Sequence, residues 1–215
     1  MKEPVKPRRP YDSPRRREHA RDTRRAILDA ARTSFIEAGY VATTIEAIAA
    51  RAGVSPESIY AIFRNKRTLL SALVDVSIAG DDAATPVLQR DWVEAMRADP
   101  DPRARLGILV RNGRLILERR SAIDEVVRGA AAADPEIATL WAVGKEQRHA
   151  GQLELLRIVV GGTHLRAGLT LAAAADILFA IGSPETYRLL VVDRGWSGSR
   201  FERWYEEALA RLLFD

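Results

Sequence analysis

The stretch TTIEAIAARAGVSPESIYAIFRNK, residues 43–66, contains start and stop signals for two short helices joined by a tight turn. Thr43 is followed three residues later by Glu46, which is the spacing of a capping box, and Thr44 fits the cap position equally well. Ile45, Ile48 and Ala49 would give this helix a buried stripe. We therefore expect the first of the two helices to begin at this threonine pair.

The turn that follows is built from residues with defined conformational roles. Gly53 suits the end of the first helix, Ser55 can cap the second, and Pro56 takes a position where its missing N–H costs nothing. Ala49 supplies a small residue where two steeply crossing helices meet, and Ile59 supplies an apolar anchor. This spacing predicts a helix-turn-helix, a motif whose second helix lies in the major groove of DNA.

Helical periodicity continues on both sides of the motif. An amphipathic helix is predicted from Arg21 to the stop signal at Gly39, and a longer one from Asn65 to Gly80. No strand alternation is present, so the sequence predicts an all-α fold. Further helices are expected over residues 86–98, 103–119, 121–132, 135–160, 170–181, 184–193 and 198–213.

Positive charge is concentrated at the N-terminus of this 215-residue chain, whose net charge is only +4. Residues 1–17 combine four prolines with repeated lysine and arginine, so we expect a disordered basic tail. Such asymmetry suggests a polyanionic partner at one end of the protein. The tail could serve as a DNA-binding arm or as a solubilising segment, and the sequence leaves both open.

Composition argues against several classes of protein. Cysteine is absent and there are three histidines, so we expect no disulfide, no metal site and no cofactor. No secretory signal or membrane span is recognisable, so a cytoplasmic protein is expected. Glu118, Asp124 and Glu125 lie close in sequence, but at a predicted helix junction they are explained by capping and solvation. No catalytic constellation is evident, and we do not expect an enzyme.

The motif resembles the N-terminal pattern of the TetR family of repressors. The C-terminal part, residues 165–215, is similar to a regulator ending common in actinobacteria. The segments that carry the resemblance are Thr43-Thr44, Ile48-Ala49, Ala52-Gly53-Val54-Ser55, Ile59-Tyr60, Phe63 and Asn65-Lys66, and later Leu165-Arg166-Ala167-Gly168-Leu169, Ala174-Ala175-Asp176, Ser183-Pro184-Glu185-Thr186-Tyr187 and Arg194-Gly195-Trp196.

This resemblance implies a set of DNA contacts. It puts Thr44, Tyr60 and Lys66 on phosphates, and Glu46, Pro56, Glu57 and Ser58 near bases or the adjoining backbone. Hydroxyl and ammonium groups at helix starts suit phosphates, and Ser58 or the two glutamates could read base edges. The family usually has histidine where Ile62 stands, so one phosphate contact is expected to be lost, and Arg64 and Arg67 could compensate.

The resemblance also implies a pocket for a small molecule in the larger helical domain. Pockets combine apolar walls with a few polar groups. Each residue taken singly could equally well belong to the core or the surface. The candidates are Trp92, Leu109, Asn112, Leu115, Ile116, Trp141, Lys145, Arg148 and His149.

The last helices carry wide apolar faces that need cover. The resemblance implies a four-helix bundle across a two-fold axis, although a helix pair packed inside a monomer is the alternative. The candidate interface residues are Ile177, Leu178, Ile181, Trp204, Tyr205, Ala208 and Leu212.

We expect three parts: the tail at residues 1–17, the DNA-binding domain at 18–65, and a ligand-binding and dimerisation domain at 66–215. Together they predict a repressor that binds a palindromic double-stranded DNA operator as a homodimer and is released by a small-molecule effector. The alternatives are a ligand-binding or scaffold protein of the same fold without DNA function, and a helical enzyme.

Overall fold

The computed structural model describes residues 14–82 and 85–215, and within these ranges it contains helices and turns but no strand. The predicted all-α fold is confirmed. A 3₁₀ turn at Val87–Gln89 and a π-helical segment at Arg188–Asp193 accompany the α-helices. These are α1 Pro14–Ala42, α2 Ile45–Ala52, α3 Pro56–Phe63, α4 Lys66–Ala79, α5 Asp91–Ala98, α6 Pro102–Ala131, α7 Pro135–Val160, α8 Leu171–Ile181, α9 Pro184–Tyr187 and α10 Gly198–Leu213.

The helix-turn-helix is formed by α2 and α3 and follows its local signals. Thr44 caps α2 by accepting from the Ala47 N–H at 3.1 Å, and Gly53 ends α2 in the left-handed region at φ 68°. Ser55 caps α3, with Pro56 in its first turn. The capping-box alternative at Thr43 is wrong, because Thr43 is buried and its hydroxyl donates to the carbonyls of α1.

Two apolar clusters form the interior, and α6 contributes to both. The first cluster contains residues of α1, α2, α3 and α4, of the C-terminal part of α6 and of the start of α7. The second cluster contains residues of α5, α7, α8, α9 and α10, which pack around the N-terminal part of α6. Because a single helix crosses both clusters, helices α1 to α4 and the larger helical body are packed onto a common element.

Some of the predicted helix boundaries differ from the structure. α1 begins at Pro14 and not near Arg21, so the end of the predicted tail is helical, while residues 1–13 lie outside the described residues. The two helices expected over 103–119 and 121–132 are one helix, α6. No break separates them, and Arg120, at the expected junction, is buried and paired with Asp124 within α6.

The stop predicted at Gly39 is present as a kink, since Gly39 has φ 75° and ψ 167° inside α1. No helix in the described ranges is both long enough and apolar enough to cross a membrane.

Candidate functional site

The exposed face of the helix-turn-helix carries most of the predicted DNA-contacting residues. Thr44, Glu46, Glu57 and Arg64 are exposed, and Pro56 and Ser58 are half-buried. Tyr60 is 47% exposed although it is a large aromatic residue, so its ring is available to a partner. Buried Ile59 and Phe63, on the opposite side of α3, anchor this face to the protein.

The end of α3 has an unusual backbone conformation. Arg64 has φ 66° and ψ −46°, and it is the one non-glycine residue in the left-handed region among the described residues. Its N–H donates to the Tyr60 carbonyl at 2.9 Å, and the adjacent Asn65 caps α4 through the Thr68 N–H at 2.8 Å. Backbone strain of this kind is often found at functional sites. The conformation of Arg64 allows α4 to begin immediately after α3.

Lys66 lies differently from the prediction. Its Nζ donates to the Tyr40 carbonyl at 2.9 Å, to the Thr43 carbonyl at 2.8 Å, and to the Val41 carbonyl at 3.5 Å. It also lies 4.4 Å from the centre of the Tyr40 ring. An ammonium group has three protons to donate, and these three carbonyls use them all. Lys66 therefore holds the end of α1 and the start of α2 to α4, and its ammonium is not free for a phosphate.

Partial burial of the same side chain affects its protonation, since desolvation lowers the pKa of Lys66 from its usual value. Next to it, Arg67 forms ion pairs with Glu136 and, at 3.7 Å, with Asp134 in the turn before α7. The start of α4 is thus tied both to the DNA-binding helices and to the larger domain.

A cavity of about 520 Å³ lies within the larger domain. Of the predicted pocket residues, Trp92, Leu109, Ile116, Trp141, Lys145 and Arg148 line it. Asn112, Leu115 and His149 do not line it. Asn112 bonds back to the Ile108 carbonyl, and His149 lies 2.9 Å from Asp176 and against the edge of Phe179.

Several cavity residues were missed by the sequence prediction. Helix α4 contributes Ser71, Val74, Asp75 and Ile78 to the wall, so the helix that begins at Lys66 also borders the cavity. Other missed residues are Arg120 and Asp124 on α6, Gln152 on α7 and Tyr205 on α10. The i,i+4 spacing of Arg120 and Asp124 was a signal that could have been recognised.

Arg120 and Asp124 form a bidentate ion pair, with nitrogen–oxygen distances of 2.6 and 2.7 Å. Burial raises the pKa of Asp124 from its usual value, and the guanidinium opposes that rise. The two effects have opposite signs, and the geometry shows Asp124 as a hydrogen-bonded carboxylate. Burial also raises the pKa of the Tyr205 phenol.

Within the described residues, no cluster of three or more histidine, aspartate or glutamate side chains could hold a metal ion.

The predicted dimer face is only partly available. Leu178 and Tyr205 are 1% and 2% exposed within a single chain, so their side chains belong to the interior and cannot face a partner. Helical spacing does not distinguish the inner side of a stripe from its outer side, which explains this error. The others are half-buried and retain surface that a second copy could cover: Ile177, Ile181, Trp204, Ala208 and Leu212.

Comparison with known proteins agrees with this geometry. Residues 27–73, which span the end of α1 through α4, match the family described as "Bacterial regulatory proteins, tetR family". This match covers the N-terminal part of the chain, whose sequence is similar to that of TetR-family regulators. The proteins that share this domain are described as transcriptional regulators.

The curated relatives match over only part of the chain. The HTH-type transcriptional regulator TtgR of Pseudomonas putida is 43% identical over 61 residues, which is 28% of this chain and 29% of TtgR. The chain therefore matches less than a third of the length of this relative. The likeness in sequence therefore concerns a minority of the chain.

Solved structures extend the likeness in fold to nearly the whole chain. NalD, the secondary repressor of the MexAB-OprM multidrug efflux pump in Pseudomonas aeruginosa, is 22% identical, with a TM-score of 0.69, covering 92% of this chain and 98% of NalD. A transcriptional regulator from Saccharomonospora viridis, solved with choline, is 19% identical, with a TM-score of 0.66, covering 90% and 98%. At these identities the likeness concerns the fold alone.

Proposed function

We propose that the chain is a ligand-responsive transcriptional repressor in the cytoplasm, binding a palindromic DNA operator as a homodimer. The observation that carries this proposal is the course of α4, which begins at the helix-turn-helix with Lys66 and borders the cavity with Val74 and Ile78. A molecule in the cavity contacts α4, the same helix that positions the helix-turn-helix.

The proposed interface follows the exposed face of α3. Thr44, Tyr60 and Arg64 contact phosphates, and Glu46, Pro56, Glu57 and Ser58 lie at base edges or the adjoining backbone. Lys66 acts by holding this surface in place. In a homodimer the two recognition helices lie about 34 to 36 Å apart, or a multiple of that distance, on one face of the duplex.

Release follows from a change in the position of α4. A ligand shifts a protein between two states only by binding one of them more tightly. The ligand therefore prefers a state in which the two recognition helices of the dimer are no longer spaced to fit the major grooves of the operator. A regulator of similar fold from S. viridis was solved in complex with a small molecule, choline, and this supports a ligand-responsive role.

The direct test is fluorescence anisotropy with labelled DNA fragments from the region upstream of the chain's own gene. The proposal expects one fragment to be preferred, with an affinity that falls as salt rises. Equal, salt-insensitive affinity for all fragments would favour a ligand-binding or scaffold protein of the same fold without DNA function.

Tyr60→Phe is expected to weaken operator binding about tenfold, because a hydrogen bond to a charged acceptor contributes about 1.5 kcal/mol. The substitution removes one hydroxyl and keeps the ring, so the fold should be unaffected. Tyr187→Phe, in the second apolar cluster, is the matched control. Titration of the preferred fragment measures both variants, and equal loss for the two would disprove a phosphate contact at Tyr60.

Ala208→Arg is expected to convert the dimer to a monomer. Ala208 is half-buried on α10 within the proposed interface, where a long cation would be desolvated without a partner. Light scattering after size-exclusion chromatography gives the mass of each species. Ala95→Arg, on an exposed position of α5, should remain dimeric. A dimeric Ala208→Arg protein would place the interface elsewhere.

A further inference from the structure

The lining of the cavity contains polar groups without hydrogen-bond partners among the described residues. Gln152 Oε1 is buried and accepts no hydrogen bond from this part of the chain. The side chain of Tyr205 is almost fully buried, and its hydroxyl has no hydrogen-bond partner among the described residues. Most buried polar atoms in proteins are hydrogen-bonded, so such groups beside a cavity indicate places for polar ligand atoms: a donor opposite Gln152 Oε1, and an acceptor opposite the Tyr205 hydroxyl, which can donate.

Arg148 adds a positive charge to this group. Its Nη1 donates to the Phe179 carbonyl at 3.0 Å, and its guanidinium carbon lies 3.8 Å from the centre of the Phe179 ring. Within the described residues, no carboxylate lies within ion-pair distance of Arg148. By contrast, Arg120 is saturated by both oxygens of Asp124. Arg148 is therefore the cavity arginine whose charge a ligand could neutralise.

Gly182 brings Arg148 and Tyr205 together. Its carbonyl accepts from Arg148 Nη1 at 3.5 Å. A Cβ atom on Gly182 would lie only 2.1 Å from the Tyr205 hydroxyl oxygen. The guanidinium and the phenol thus meet at one residue, and the absence of a side chain there gives the hydroxyl its space. Both groups donate hydrogen bonds, and together they suit an oxyanion.

The remaining walls determine the rest of the ligand. Two indole rings and two aliphatic side chains, from Trp92, Trp141, Leu109 and Ile116, line the cavity. Such walls suit a flat apolar body. The charged lining residues are Arg120, Lys145 and Arg148 against Asp75 and Asp124, which leaves one positive charge in excess.

We propose that this cavity takes an organic anion, with an aromatic or comparably apolar body between the tryptophans and a carboxylate bound by Arg148 and Tyr205. The inference rests on the proposed function, since it concerns the effector cavity of that regulator. The fold does not decide the charge of the ligand, because the S. viridis regulator of the same fold was solved with the cation choline.

Three probes with one ring system and different head groups test the charge preference: 2-naphthoate, 2-naphthalenemethanol and 2-naphthylmethylammonium. Calorimetric titration of the full chain at neutral pH should give naphthoate at least a tenfold higher affinity than the alcohol, with the ammonium weakest. Tightest binding of the ammonium would assign the site to a cation held by Asp75. Equal affinities, or no binding of any probe at millimolar concentration, would also overturn the proposal.

Arg148→Met should reduce naphthoate affinity at least tenfold, to near that of the alcohol. Arg157→Met is the matched control, since Arg157 is an exposed arginine on the same helix, paired with Glu154. Tyr205→Phe should lower naphthoate affinity about threefold, and it provides a second variant if Arg148→Met does not fold. Unchanged naphthoate affinity in a folded Arg148→Met protein would contradict the assigned head-group site.

The DNA titration without probe keeps the two proposals separate. Naphthoate selectivity in a protein that binds no operator would support the anion site and disprove the regulator. Operator binding without naphthoate selectivity would leave the regulator standing and disprove the anion site.

Discussion

Lys66→Met is expected to weaken operator binding at least tenfold and to lower the thermal unfolding midpoint, while the salt dependence of binding stays unchanged. The variant keeps an unbranched side chain, one atom shorter, but leaves the carbonyls of Tyr40, Val41 and Thr43 without their donor. An unsatisfied buried polar group costs about 1 to 3 kcal/mol. The expected defect is a displaced helix-turn-helix and not a missing phosphate contact.

The salt dependence distinguishes the two roles of a lysine at this position. Loss of one phosphate contact reduces the slope of log affinity against log salt by about one unit and does not affect folding. Anisotropy titrations between about 50 and 200 mM salt measure that slope, and thermal denaturation measures the midpoint. A reduced slope with an unchanged midpoint for Lys66→Met would restore the phosphate role that the resemblance implies.

Arg64→Met supplies the contrasting control. Arg64 is exposed at the end of the recognition helix, and its side chain makes no hydrogen bond or ion pair with the described residues. Its substitution should reduce the salt slope by about one unit and leave the midpoint within experimental error. Both substitutions remove one positive charge. Lys66→Met is expected to lower the midpoint and keep the salt slope, whereas Arg64→Met is expected to reduce the salt slope and keep the midpoint.

The helix-turn-helix was predictable because its signals are local. Thr44, Gly53 and Ser55 each act on backbone groups a few residues away, so the sequence contains both partners of the interaction. Capping and left-handed turn residues are therefore readable without tertiary information. The choice between Thr43 and Thr44 was not, because it depends on the contact of Thr43 with α1.

The role of Lys66 could not be predicted because its acceptors are 23 to 26 residues earlier in the chain. A lysine at a helix start has the same local sequence whether it faces solvent, DNA or a carbonyl. Only the close approach of the end of α1 to the start of α4 selects among these partners.

Only some of the residues that line the cavity could be predicted from the sequence, for a similar reason. Apolar periodicity identified Trp92 and Trp141 as inward-facing, but it could not place α4 or Tyr205 against the same space. The wall contains residues from several helices that are distant in sequence. The unbroken course of α6 was missed because a buried arginine resembles a solvated one until its partner, Asp124, is recognised.

Arg120→Met is expected to lower the free energy of unfolding by about 3 to 5 kcal/mol at neutral pH, because breaking a buried ion pair leaves an uncompensated charge. Its partner Asp124 has a side chain only 5% exposed. Arg128→Met, in an exposed pair with Glu125, is the control and should cost at most about 1 kcal/mol. Urea denaturation followed by circular dichroism measures both losses.

The loss should depend on pH in a defined direction. Burial raises the pKa of Asp124 in the folded chain and Arg120 opposes the rise, so removing Arg120 raises this pKa further. A raised carboxyl pKa means that the folded state holds its proton more tightly than the unfolded state, so the fold is favoured at low pH and disfavoured as pH rises through the folded pKa. The deficit of Arg120→Met should therefore be smaller at about pH 5 than at about pH 8.

The double variant Arg120→Met/Asp124→Leu separates the cost of the unpaired charge from the cost of altered packing. Removing both charges takes away the need to solvate a carboxylate, so stability should largely return and the pH dependence should disappear. If the single variant lost under about 1 kcal/mol at every pH, Asp124 would have to be hydrated through the cavity. The cavity would then be open to water near Asp124, and this carboxylate would be free to contact a ligand.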